Sequence, residues 1–501
     1  MLRKIRLTCG IICLTLITLL FLDFTGTLHS WFGWLAKIQF LPAVLALNVG
    51  VVVLLIILTG VFGRIYCSVI CPLGVFQDVA AWIGKKRKKL PYSYSPALSL
   101  LRYGALAIFI ITLVAGVSFI ATLFAPYSAY GRIANNLFQP IWLWGNNLFA
   151  HLAERAGSYA FYEVDIWIKS LPTFIVAAAT FVILILLAWR NGRTYCNTIC
   201  PVGTVLGFLS RYSLFRITID TEKCNKCGLC ARHCKAACIN AKEHTIDYSR
   251  CVVCMDCLGK CKQKALSYQL RTTKARPAKA EENAHAASSK EVNEARRNFL
   301  TVTAMAATAS ALKAQEKKLD GGRAAIEDKK IPNRQTPITP PGSLSARNMA
   351  AHCTACQLCV SACSNQVLRP STNLMNLMQP EISYERGYCR PECNDCSQVC
   401  PTGAIHPITA ADKSSTQIGH AVWIKANCVS LTDGVKCDNC ARHCPTGAIQ
   451  MIVAEPEKET SPQIPAINTE RCIGCGACEN LCPARPFSAI YVEGHERHRI
   501  I

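Results

Sequence analysis

Twenty-four cysteines stand in six groups of four, spaced so that several thiolates can surround one metal centre. Cys224, Cys227, Cys230 and Cys234 are separated by two, two and three residues, and Cys251, Cys254, Cys257 and Cys261 repeat the pattern. Four later groups are Cys353, Cys356, Cys359 and Cys363; Cys389, Cys393, Cys396 and Cys400; Cys428, Cys437, Cys440 and Cys444; and Cys472, Cys475, Cys478 and Cys482. Structural zinc usually separates two Cys-x-x-Cys pairs by a longer loop. A [4Fe–4S] cubane instead takes three closely spaced thiolates on one face and a fourth from a neighbouring group, which suits consecutive two-two-three runs. On that logic Cys224, Cys227, Cys230 and Cys261 hold one cluster, and Cys251, Cys254, Cys257 and Cys234 another. The later thiolates supply four more, about six in all.

The two-two-three run is the spacing of bacterial two-cluster ferredoxins. Among the later groups the first and fourth keep it, while the second and third open their first gap and so insert a loop without changing the thiolate count. Cys-Pro-Thr-Gly-Ala-Ile occurs at 400–405 and again at 444–449, where proline and glycine turn the chain into a short strand. Lys235 and Lys262 stand where a proline usually follows the fourth cysteine, which changes the field at those clusters. Cys238 is left over without a role.

Four more cysteines form a different pattern. Cys67-Ser-Val-Ile-Cys71-Pro72 and Cys196-Asn-Thr-Ile-Cys200-Pro201 are preceded by Gly-Arg-Ile-Tyr and Gly-Arg-Thr-Tyr, an internal repeat. Paired thiols repeated at one depth point to redox chemistry or metal binding rather than to packing alone. Cys9 and Cys13 lack the flanking motif and read as core residues.

The elements that must carry these thiols are partly membranous. Hydrophobic residues make up 51% of the chain. Apolar runs at Leu7–Leu22, Phe40–Phe62, Tyr103–Phe124 and Thr173–Trp189 approach the ~20 residues that cross a hydrocarbon core. A cleaved signal peptide is the other reading of the first run. The thiol pairs then sit at the cytoplasmic ends of the second and fourth spans. Of 54 basic and 32 acidic residues, 19 and 18 lie from Ala314 onward, leaving 35 and 14 in the first 313. That excess suits anionic lipid better than nucleic acid. Arg3, Lys4, Arg6, Arg64, the run Lys85–Lys89, Arg190 and Arg193 put the N-terminus and first cluster module in the cytoplasm by the positive-inside rule. The aromatic stretch Ala125–Leu171 then faces outside, as a segment lying on the membrane or as a quinone-head pocket.

The expected fold class is an α-helical four-span membrane domain plus α+β ferredoxin-like iron–sulfur modules. Its boundaries are a membrane domain at 1–213, a two-cluster module at 214–270, a linker at 271–340 and a four-cluster module at 341–501. Ala295-Arg296-Arg297-Asn298-Phe299-Leu300 and the mild apolar run after it look like a twin-arginine export signal. An amphipathic helix or a fusion remnant is the alternative. If the signal works, the second module is exported folded to the periplasm; if not, it stays cytoplasmic.

Residues 1–270 resemble NapH, a membrane ferredoxin-type protein of periplasmic nitrate respiration, through the four spans, the two Cys-x3-Cys-Pro pairs and the two-cluster module. Residues 295–501 resemble NapG through the twin-arginine segment and the four cysteine groups with an enlarged third. The chain looks like a NapH–NapG fusion. Similar modules occur in nitrous oxide reductase regulators, methylamine dehydrogenase accessories and copper-handling oxidase assembly proteins. The resemblance implies a bacterial inner-membrane protein that takes electrons from the quinone pool, with menaquinol as substrate, and delivers them to a periplasmic reductase. By likeness to four-cluster electron-transfer subunits, the first and fourth groups of the second module exchange fourth ligands, and the second and third likewise.

No Cys-x-x-Cys-His is present for c-type haem, no histidine lies within the four runs, and no Gly-x-Gly-x-x-Gly follows a strand, so haem, flavin and NAD sites find no support. Two readings remain. One is a respiratory electron conduit. The other is an assembly or maturation factor in which Cys67, Cys71, Cys196 and Cys200 reduce or bind a metal, since soft thiolates suit Cu(I).

Overall fold

The computed structural model describes residues 2–87, 92–116, 118–271, 327–457 and 461–501. The twin-arginine segment, most of the 271–340 linker and the end of the Lys85–Lys89 run lie outside them.

The N-terminal part is helical and built twice. The first copy comprises α1 (Leu2–Leu22), α2 (Val49–Phe62), α3 (Ile65–Val69) and α4 (Pro72–Arg87). The second comprises α5 (Ser99–Val114), α6 (Leu171–Asn191), α7 (Thr194–Thr198) and α8 (Pro201–Ser210). The copies interlock: α4 packs on α6 and α1, while α8 packs on α2 and α5. Among the described residues α1 and α6 are long and apolar enough to cross a membrane unaided. The other two expected spans are interrupted helices. Phe40–Leu45 is parted from α2 at Leu47, whose φ is 53°, and α5 stops before Gly116, whose φ is 73°. Large apolar side chains of all four, among them Ile12, Leu54, Ile111 and Ile183, face outward and stay exposed.

Each repeat motif makes a re-entrant hairpin. Gly63 and Gly192 end α2 and α6 at φ 76° and 71°, a region that favours glycine. The chain then turns back into the bundle through α3 or α7. It reverses again at Pro72 or Pro201, whose missing N–H costs nothing at a helix start. Phe76 lies 5.7 Å from Phe181 and Gly84 packs on Trp189, so α4 runs parallel to α6. The cysteine pairs consequently sit inside the bundle, level with Gly10 of α1, and not at the span ends as hydropathy suggests.

Two buried arginines lock the hairpins together. Arg64 donates to the Cys196 carbonyl (3.2 Å) and to Asn197 Oδ1 (2.9 Å), and Arg193 donates to the Cys67 carbonyl (2.5 Å). Arg193 also pairs with Asp78 (2.9 Å), which Arg6 reaches from α1 (3.0 Å).

The first cluster module joins β1 (Phe215–Ile219) antiparallel to β2 (Leu266–Leu270). It seats on the bundle near the N-terminus of α1. Lys235 bridges Asp78 (3.5 Å) and Asp256 (2.9 Å), Arg3 pairs with Asp256 (2.7 Å), and the Lys235 carbonyl accepts from Arg193 N (2.9 Å). The second module holds a long ribbon of β3 (Thr416–Trp423) with β6 (Ile490–Ile500) and a hairpin of β4 (Ile449–Val453) with β5 (Gln463–Ile467). It packs at the other end of α1, where Phe21, Gly131 and the Cys356 backbone meet, and shares one core with the bundle. A 21-residue helix is about 30 Å long, so α1 separates the two modules by roughly that distance.

A side chain on Gly74 or Gly203 would clash with the Cys67 or Cys196 carbonyl oxygen, whereas Gly60 has open space. Gly74→Ala and Gly203→Ala should each destabilise the purified protein by roughly 1–3 kcal/mol. Gly60→Ala should not. Thermal unfolding measures both, and a wild-type melt for Gly74→Ala would contradict the hairpin crossing.

Candidate metal centres

Five cavities are lined by cysteines of the expected groups. In the first module Cys251, Cys254 and Cys257 share one cavity with Cys234. Cys224, Cys227 and Cys230 lie together, and Cys261 packs in the same small core as Cys230. In the second module Cys353, Cys356 and Cys359 face Cys400, while Cys389, Cys393 and Cys396 face Cys363. Cys428, Cys437 and Cys440 face Cys482, while Cys472, Cys475 and Cys478 face Cys444.

The fourth cysteine of each group therefore lines its neighbour's cavity, between the first and second groups and between the third and fourth. This corrects the exchange implied by likeness to four-cluster subunits. The reason is local: short helices Leu358–Ser361 and Asp395–Val399 pack together, as do Asn439–Arg442 and Ala477–Leu481, so each adjacent pair of groups makes its own two-centre unit. Cys389 N donates to the Cys475 carbonyl (2.9 Å) and joins the two units.

Residues on either side of the second cysteine are left-handed in all four two-two-three loops. These are Lys226 and Gly228, Val253 and Met255, Ala355 and Gln357, and Gly474 and Gly476. Only three are glycine, and a β-branched residue such as Val253 at φ 50° is strained. Alternating backbone of this kind turns successive N–H groups towards one point and makes an anion-binding concavity. Four thiols around a cavity, with N–H groups of this kind beside them, fit a cubane.

Two residues gain meaning only in three dimensions. Cys238, without a role in the sequence, lines the Cys251 cavity with its sulfur 3.5 Å from Cys234 Sγ. Its lone position gave no signal. Lys235 replaces a proline and becomes the ion-pair anchor of the first module. Burial would raise the Asp256 carboxyl, but Lys235 and Arg3 outweigh it and hold it below its usual range.

The second module docks through its first cluster loop. Gln357 accepts from Asn136 Nδ2 (2.8 Å), Trp167 donates to Gln366 Oε1 (3.1 Å), and Arg386 lies 4.5 Å over the Trp167 ring. Asn136 sits in a π-turn, Ala134–Phe138. Such turns are rare and occur frequently at functional sites. Cys67, Cys71, Cys196 and Cys200 are each 5% exposed or less and lie within one another's electrostatic reach.

The exchange of ligands can be tested by counting iron. Cys428→Ser with Cys482→Ser empties one cavity and should cost about four irons per chain; Cys428→Ser with Cys444→Ser damages two and should cost about eight. Equal losses would contradict the pairing.

The family described as a 4Fe-4S binding domain matches residues 44–91 and 173–220, the two repeats that carry the buried thiols. A 4Fe-4S dicluster domain matches 435–485. The ferredoxin-type protein NapF of Escherichia coli is 29% identical over 181 residues, 36% of this chain and 99% of that protein. The methylamine utilization ferredoxin-type protein MauN of Methylobacillus flagellatus is 27% identical over 215 residues, 42% of this chain and 62% of its own. An uncharacterized protein of Methanocaldococcus jannaschii is 32% identical over 99 residues, 20% of this chain and 39% of its own length. No solved structure matches the chain. The chain carries 4Fe-4S binding domains and is related, at modest identity, to the ferredoxin-type iron–sulfur proteins that include NapF, MauM, MauN and the regulatory protein NosR.

Proposed function

We propose that the chain is a membrane-bound electron conduit that takes electrons from menaquinol and passes them through six [4Fe–4S] clusters to a reductase. The observation that carries this reading is the placement of the two cysteine modules at opposite ends of α1 on one continuous helical core. The outward apolar belt of α1, α2, α5 and α6 supports four membrane crossings in a bacterial inner membrane. With the basic residues setting orientation, the N-terminus and first module are cytoplasmic and the second module periplasmic. The likeness of residues 1–270 to NapH supports a quinol donor. The ligands are the six four-cysteine sets described above, five of them lining a cavity, with the fourth ligands exchanged between neighbours.

The route through the second module follows its contacts. It enters at the Cys356 centre beside Gly131, passes to the Cys389 centre, crosses the Cys389–Cys475 hydrogen bond and ends at the Cys428 centre. Exposed Leu431, Val435 and Ile452 near that last centre offer a reductase an apolar landing face. Clusters moving single electrons need no bond changes, only potentials tuned by hydrogen bonds and exposure. The alternative, a maturation factor that works through the membrane thiols, is weakened by the burial of all four.

Anaerobic membranes given a reduced menaquinone analogue should show rapid reduced-cluster EPR signals. Clusters that dithionite reduces but the quinol never does would defeat the proposal. Asn136→Ala with Trp167→Ala should loosen the docking by about 1–3 kcal/mol. It should then slow reduction of the second-module clusters while the first module is reduced at the wild-type rate, as stopped-flow spectra would show.

A further inference from the structure

Cys67, Cys71, Cys196 and Cys200 are not needed by the six centres, yet they are built as a set. Two come from each repeat, related by the pseudo-twofold that exchanges Arg64 with Arg193. Each sulfur meets one N–H donor. Arg64 Nη2 lies 3.8 Å from Cys67 Sγ, and Gln77 Nε2 and Gly203 N lie 3.3 Å from the sulfurs of Cys196 and Cys200. The backbone N–H of Gly74 points at Cys71. Donors of this kind do little for a neutral thiol and much for sulfur carrying negative charge.

The surrounding charges ask for an anion. Arg64 and Arg132 are fully buried, and neither meets a carboxylate among the described residues. Arg64 is held by the Cys196 and Ser249 carbonyls and Asn197, and its Nε has no partner. Arg132 donates to the Thr122 carbonyl alone (3.1 Å), and its Nε and Nη2 have no partner. It faces Tyr195, beside Cys196 and Cys200, on one side and Cys356 on the other. An uncompensated buried charge is strongly destabilising. Arg64 lies within reach of the Cys251 cluster and Arg132 within reach of the Cys356 cluster; an oxidised cubane held by these four thiolates, a dianion, would add negative charge between the two cations, which four neutral thiols would not.

Position adds a second argument. The thiols lie level with Gly10. At 1.5 Å per residue that is about 10 Å along α1 from Arg3 at the first module and about 16 Å from Phe21 at the second. Electron tunnelling decays exponentially with distance, so a centre at this depth turns one long gap into two short ones. Arg64 lies within electrostatic reach of Cys251 of the first module, and Arg132 within reach of both Tyr195 and Cys356 of the second.

We infer that Cys67, Cys71, Cys196 and Cys200 hold a seventh iron–sulfur cluster, which carries single electrons between the two modules. A neighbouring cluster reduces it by one electron and the next cluster reoxidises it; no bond is made or broken. Its role rests on the conduit reading, its existence does not.

Iron and acid-labile sulfide analysis of the anaerobically purified full chain should give about 28 irons rather than about 24. Cys67→Ser with Cys196→Ser should remove about four of them and block quinol-driven reduction of the second-module clusters, while dithionite still reduces those of both modules. A wild-type count near 24, a variant that keeps all its iron, or loss of copper or zinc in place of iron overturns the inference. Should that variant not fold, Cys200→Ala should give a three-iron EPR signal missing from the wild type, and an unchanged spectrum overturns it. Loss of about four irons in a protein that quinol never reduces would uphold the site and sink only the conduit.

Discussion

Burying a guanidinium away from water is expensive unless its donors are met, and this protein does so at its centre with Arg64 and Arg193. Each belongs to one repeat and satisfies itself on the other: Arg64 on the Cys196 carbonyl, Arg193 on the Cys67 carbonyl. Neither hairpin can hold its thiols alone, because each lacks the cation that fixes its cysteine backbone. Gly74 and Gly203 follow from that exchange, since the carbonyls and guanidiniums fill the space a Cβ would need. So do Gly63 and Gly192, which turn the chain inward to bring the arginines across.

The two copies have diverged where they meet the modules. Arg193 and Arg6 share Asp78, and Lys235 of the first module joins the same carboxylate. Arg64 has no such acid and reaches the Ser249 carbonyl of that module. A lysine in place of the usual proline thus gives up a turn residue and gains a clamp between module and bundle. The second module makes no ion pair with the bundle among the described residues: Gln357 and Gln366 meet Asn136 and Trp167, and Arg386 lies over the Trp167 ring. A partner outside the low-dielectric bundle needs less charge compensation than one seated on its buried ion pairs.

Much of this was legible from residue spacing, and the rest was not for physical reasons. Gaps of two, two and three residues report a local requirement, three sulfurs on one face of one centre, and the cavities gather the sulfurs so marked. The Gly-Arg-x-Tyr-Cys repeat disclosed the duplication. Which fourth cysteine serves which centre depends on packing between short helices, to which spacing is blind, and the expected exchange in the second module was wrong. Hydropathy located the apolar runs but not the breaks at Leu47 and Gly116, nor the return of Cys67 and Cys196 into the bundle. An average over a window carries no information about direction. Cys238 and Gln357 were invisible because their significance lies wholly in what sits opposite them.

The position of the twin-arginine-like segment is odd for an export signal, and only the proposed conduit topology would give it a reason. Residue 271 ends at the module beside Arg3, while residue 327 begins the lead into the module beside Phe21. The chain must therefore pass from one end of α1 to the other between them. At about 3.3 Å per residue, residues 272–326 greatly exceed the ~30 Å length of α1, so reach is no obstacle. If the bundle crosses a membrane, polarity is the obstacle, because the second module would have to cross with its clusters already in place. A cubane can be inserted only on the side where iron and sulfide are supplied, and the sixteen thiolates of the second module form their cavities only once folded. On the proposed conduit topology, a signal for export of folded protein would have to act between the two modules, and Arg296-Arg297 stands there in the sequence.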